Sequence, residues 1–129
     1  MLSTERVLVL FEDARRLEAS ALERLTSGDV RDAAEKAWGA TKRAADALLL
    51  ARTGEEPSTS GRTARGVREL RRGDPTLFAD LHQRYFARQA ELHGNCFYDG
   101  NCEPLEVIEA QIRETGQFIR DCESRTETG

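Results

Sequence analysis

Apolar residues return every three or four positions along most of this chain, the period of a helix that buries one face. From Thr4 to Thr26 the spacing is held by Val7, Leu10, Ala14, Leu17, Ala21, Leu22 and Leu25, and Ser27-Gly28-Asp29 breaks it. Asp29 is placed to cap a second helix, and Asp32 adds negative charge to its first turn. That helix continues to about Arg52 through Ala33, Ala37, Trp38, Ala44, Ala45, Leu48 and Leu49. Its alanines let a neighbour approach closely, and the short connection makes the first two helices antiparallel partners. Gly54 to Gly61, with Pro57 and three hydroxyl residues, reads as a loop. A shorter helix is expected over Thr63 to Arg72, ended by Gly73. Asp74-Pro75 is the clearest helix start: a capping Asp, then Pro at the first helical position. This fourth helix should reach about His93, with Leu77, Phe78, Leu81, Tyr85, Ala90 and Leu92 largely inward. Gly94 to Glu103 reads as a loop, and Pro104 opens a fifth helix to about Asp121 with Leu105, Ile108, Ile112, Phe118 and Ile119 facing the core. No strand pattern, internal repeat or low-complexity tract interrupts this. The expectation is an all-α, mostly antiparallel bundle of four to five helices, one domain over residues 1–123 with a flexible tail at 124–129.

Composition narrows the setting. A third of the 129 residues are charged and 39% are apolar, a balance that suits a globular chain. The longest early apolar run, Val7 to Phe11, is far short of the ~20 residues a membrane span needs. It also meets Glu12 and Asp13 where a signal peptide would not. A cytoplasmic protein without membrane association is expected. The net charge of −4 argues against bulk affinity for nucleic acid. Of 19 basic residues, however, only Lys36 and Lys42 are lysine. Arginine's planar fork suits phosphate and carboxylate, though a GC-rich codon bias accounts for the excess without any function.

Chemistry concentrates at the end of the fourth helix, in Arg88-Gln-Ala-Glu-Leu-His93 followed by Gly-Asn-Cys-Phe-Tyr98. Arginine and histidine together can cleave RNA without metal. The histidine moves a proton near neutrality, and the arginine braces charge developing on phosphate. The bland reading is a surface arginine and a histidine offsetting the helix dipole. Five residues of ideal helix give about 7.5 Å of rise and roughly 140° of rotation. Arg88 and His93 therefore share a face only if the helix unwinds near Gly94 or a second subunit completes the site.

The segment Leu92-His93-Gly-Asn-Cys-Phe-Tyr98 resembles the Leu-His-x-Asn-Phe-Tyr signature of the HEPN superfamily, particularly its prokaryotic PaREP branch, with Cys96 as an inserted residue. Gly28-Asp29 and Ala33-Ala34-Glu35-Lys36-Ala37-Trp38 are similar to the opening of that branch's second helix, and the likeness in helix order spans about Thr4 to Asp121. What the resemblance implies is a HEPN-like bundle. Arg88, Gln89 and His93 fit the HEPN ribonuclease frame, in which the polar slot held here by Gln89 is usually Asn, Asp or His. It further implies metal-independent attack of a ribose 2′-hydroxyl, leaving a 2′,3′-cyclic phosphate and a 5′-hydroxyl. The alternatives it leaves open are a non-catalytic partner of a nucleotidyltransferase, of toxin–antitoxin or substrate-binding type, and a nucleotide-binding dimer. A homodimer with His93 beside the interface is expected.

Two further features extend beyond this motif. Arg65, Arg68 and Arg72 fall within about 60° of one another on the third helix, opposite Val67 and Leu70. That stripe fits either a solvated face or an RNA backbone, with Tyr98 as a further RNA contact or a packed aromatic with one wet end. His93, Cys96, Cys102 and Cys122 lack the paired CxxC knuckles of structural zinc, so no metal or other cofactor is expected. A disulfide between the loop cysteines runs against the compartment.

Overall fold

The computed structural model describes residues 2–127, with side chains from Thr4 onward. Among them every regular element is helical: α1 (Leu2–Thr26), α2 (Val30–Thr53), α3 (Ser60–Gly73), α4 (Pro75–Arg88), a π-helical segment (Gln89–Tyr98), α5 (Leu105–Arg113) and α6 (Thr115–Ser124). None is long and apolar enough to cross a membrane.

The hairpin of α1 and α2 is the trunk. Ala14 and Ala21 of α1 and Ala33, Ala37, Ala40, Ala44 and Ala47 of α2 are fully buried, so the α1–α2 packing spends little side-chain entropy. The larger residues Leu10, Leu48, Phe78, Leu81, Tyr85, Ile112 and Phe118 fill the space toward α4, α5 and α6. Caps stand where the sequence put them. The Asp29 carboxylate accepts from the Asp32 amide at 3.1 Å, and that of Asp74 from Leu77 at 3.2 Å. Asp74 also closes α3 through its own amide, which donates to Leu70 O at 3.0 Å, so one residue makes the turn between α3 and α4. Gly66 lets α3 lie against α2, since a Cβ there would meet Leu49 Cδ1 at 2.7 Å. A buried polar tie reinforces this contact: Asp46 accepts from Thr63 Oγ1 at 2.7 Å and from Lys42 Nζ at 2.9 Å.

Two expectations change. The loop expected from Gly94 is helical as far as Tyr98, continuing α4 with wider turns. The single fifth helix divides at Glu114, where Thr115 Oγ1 donates to Ile112 O at 2.7 Å, a side-chain bond that competes with the backbone ladder and bends it. Over the tail, Arg52 donates to Arg125 O at 2.7 Å and to Glu127 O at 2.8 Å. The last two residues of the expected tail, Thr128 and Gly129, lie outside the described residues.

Candidate functional site: a histidine–carboxylate pair on a π turn

Beyond Arg88 the backbone pairs i with i+5, as in the Asp99 amide donating to Gly94 O at 3.0 Å. Such a turn takes more residues to complete, so a five-residue spacing no longer points to opposite sides. Arg88 and His93 both face α2, and the unwinding their spacing required is present.

They nevertheless occupy different surroundings. Arg88 is 5% exposed. Its Nε donates to Thr41 Oγ1 at 2.9 Å, one terminal nitrogen to Gln111 O at 2.8 Å and the other to Thr115 Oγ1 at 2.5 Å. Each hydroxyl donates in turn to a backbone carbonyl, Thr41 to Ala37 O in α2 and Thr115 to Ile112 O at the end of α5, which leaves its lone pairs for the guanidinium. The cation also lies 5.7 Å over the Phe118 ring. Burial, with Arg84 nearby, pushes its pKa down to about 10, so it stays charged at neutral pH. Arg88 thus knits α4 to α2, α5 and α6.

His93 stands at the surface, its side chain 40% exposed. Nδ1 lies 2.7 Å from Glu35 Oε1 of α2. The imidazole sits between aromatic rings, Phe97 stacked at 6.2 Å and Trp38 tilted at 6.1 Å. With Nδ1 engaged by the carboxylate, Nε2 is the nitrogen left to exchange a proton, since the hydrogen bond of one ring nitrogen sets the role of the other.

Arg31, Glu35 and Trp38, spaced four and three apart, form one stripe of α2 facing the π segment. Arg31 donates to Phe97 O at 2.6 Å and Tyr98 O at 3.0 Å, satisfying carbonyls that the helix end leaves open. Gly100, at φ +71°, passes so close that a Cβ would come within 3.2 Å of the Arg31 guanidinium carbon. Glu35 and Arg31 are the site residues that sequence reasoning missed. Glu35 stood inside the segment that resembles the family's second helix, but as an ordinary helix acid, and Arg31 carried no signal of its own.

The other candidates disperse. Gln89, half-buried, follows Arg88 and makes no side-chain hydrogen bond among the described residues. Tyr98 is 74% exposed at the end of the π segment. Val67 is buried and Leu70 half-buried, while Arg65, Arg68 and Arg72 face solvent. They do not form one surface, however. Arg65 lines a cleft between α2 and α3 with Leu49, Thr53 and Glu56, whereas Arg68 and Arg72 turn toward α4. Cys96 and Cys102, close enough in sequence to pair under oxidation although the expected compartment argued against it, are joined by a disulfide that ties the π segment to the loop before α5. Cys122 is free and buried, and burial holds its thiol protonated. Among the described residues no group of three or more His, Cys, Asp or Glu side chains gathers as a metal site would.

A family model for the archaeal PaREP1/PaREP8 family matches residues 9–115, from the first turns of α1 to the start of α6. The chain belongs to that family. The matched span includes the whole of α2, α4 and the π segment, and with them Glu35, Arg88 and His93. No curated protein and no solved structure matches the chain.

Proposed function

We propose that this family member is a HEPN-like, cytoplasmic RNA-binding protein in which His93, oriented by Glu35, moves the proton in metal-independent RNA cleavage. The observation that carries the reading is the 2.7 Å contact from Glu35 Oε1 to His93 Nδ1 on a half-exposed aromatic shelf. A carboxylate behind an imidazole fixes its tautomer and steadies the imidazolium that forms during proton transfer. His93 Nε2 would take the 2′-hydroxyl proton as that oxygen attacks the adjacent phosphorus, and the 5′-oxygen would leave. Arg88 then acts as a positioning residue, holding the start of the π segment. One histidine supplies only one proton transfer at a time, so the reading includes a homodimer in which a second copy provides the acid and the cation that braces phosphate. Tyr98, Leu105 and Val107 are exposed side chains at this end of the bundle and offer the contact. Incubation of single-stranded RNA in chelator tests it: the expected products carry 2′,3′-cyclic phosphate and 5′-hydroxyl ends.

The enclosure of Arg88 supports a second reading, a non-catalytic subunit that pairs with a nucleotidyltransferase or binds nucleotide as a dimer. Intact RNA in that assay, with binding retained, would decide for it.

A further inference from the structure

The turn at Asp74 folds α4 back beside α3 and brings four basic side chains from two helices to one crook. Arg68, Arg71 and Arg72 of α3 and His82 of α4, with Pro75, line a cleft of about 400 Å³. A second depression of about 660 Å³ shares Arg71 and His82 with it and adds Phe86 and Asp80. Phe86 organises the group. The Arg68 guanidinium lies 4.6 Å over its ring, and the His82 imidazole packs against it at 4.9 Å. A stacked guanidinium keeps the N–H donors in its plane free, so Arg68 is oriented without its hydrogen-bonding capacity being used.

Each acid nearby already has a partner. Glu69 pairs with Arg72 at 3.5 Å, Asp80 with Arg84 at 3.0 Å, and Asp74 caps α4. Among the described residues neither Arg68 nor Arg71 has a carboxylate within 4 Å. On a chain of net charge −4, two arginines side by side with no carboxylate of their own have room for an outside anion. Burial first, and then the charges of Arg71 and Arg68, depress the His82 pKa.

We infer that the α3–α4 crook is a phosphate-binding site, with Arg68 and Arg71 as fork donors, Arg72 at the rim and His82 as a fourth donor. A tetrahedral oxyanion matches several N–H donors converging from two helices, and a guanidinium binds it through two parallel bonds. The phosphate belongs to an RNA strand or is free inorganic phosphate. The site does not depend on catalysis at His93.

Nuclear magnetic resonance of the His82 ring in the full chain tests the inference, with inorganic phosphate as the probe and chloride at matched ionic strength as the reference. Bound phosphate should raise the His82 titration point, because the anion favours the imidazolium and offsets Arg68, Arg71 and Arg72. Arg68→Gln/Arg71→Gln, on the exposed face of α3, should weaken phosphate binding about tenfold or more while helical content is unchanged. Arg65→Gln, in the separate cleft between α2 and α3, and His93→Ala should leave it unaltered. A 5′-phosphorylated oligoribonucleotide binding more tightly than its 5′-hydroxyl counterpart identifies a terminal phosphate. Equal binding by the two, competed by inorganic phosphate, identifies the strand's backbone, and binding of inorganic phosphate without either identifies the free ion. An equal His82 response in phosphate and chloride, or an undiminished response in the double variant, would overturn the inference. Either result leaves the His93 reading untouched.

Discussion

At the scale of single residues, the site turns on two basic side chains whose roles the sequence could not separate. Arg88 and His93 are equally polar and five apart, and nothing in the string says that one is a buried clasp. Burial is a property of the packed bundle: Thr41, Gln111 and Thr115 arrive from three other helices to receive the guanidinium. Removing it takes the donor from two buried hydroxyls and a carbonyl and opens a cavity. Arg88→Ala is therefore expected to lower stability by at least about 2 kcal/mol in chemical denaturation. Arg88→Lys should recover only part, because an ammonium lacks the fork that reaches three acceptors. Loss of function in Arg88→Ala is then a loss of fold, and equal stability of this variant and wild type would refute the clasp. Glu35 was invisible for the opposite reason. A glutamate in mid-helix is ordinary, and only the π turn beneath it supplies the histidine.

At the scale of elements, patterning was most informative where a helix meets solvent on one side. The faces of α1 and α2, the Asp29 and Asp74 caps and the inward Val67 were legible from period and capping alone. The π segment was not, because Gly94, Asn95 and Gly100 carry the composition of a loop. The residue inserted relative to the motif this stretch resembles is Cys96, and an i→i+5 turn takes up one extra residue. The disulfide of Cys96 with Cys102 and the Arg31 bonds to the carbonyls of Phe97 and Tyr98 hold its end. Hydrogen exchange should thus speed up over residues 94–101 on reduction, and in Arg31→Ala, while α1 and α2 stay protected. Unchanged exchange there in both cases would show that the segment needs neither tie.

At the scale of the whole molecule, one ion pair links α4 to α6 and contributes to stability in a pH-dependent way. Burial pushes the Asp121 carboxyl up, but hydrogen bonds from Arg84 and Gln117 outweigh it and hold its pKa below the ordinary range. A depressed carboxylate stabilises the fold above its unfolded pKa, and that contribution is lost as pH falls through the folded value. Stability should accordingly decline below about pH 4, and less steeply in Arg84→Gln. An identical pH profile in the variant would remove the pair from the account. The bundle itself was readable from periodicity, whereas which ends of which helices meet depended on packing. Proton transfer by His93, oriented by Glu35, is tested by comparing RNA cleavage by wild type, His93→Ala and Glu35→Gln in the presence of chelator. His93→Ala should lose about 10²–10⁴-fold in rate, the usual contribution of general acid–base catalysis. Glu35→Gln should lose less and shift the pH–rate profile, since it removes the charge behind the imidazole. Cleavage at the wild-type rate in His93→Ala, or cleavage that stops when divalent metal is removed, would contradict the account.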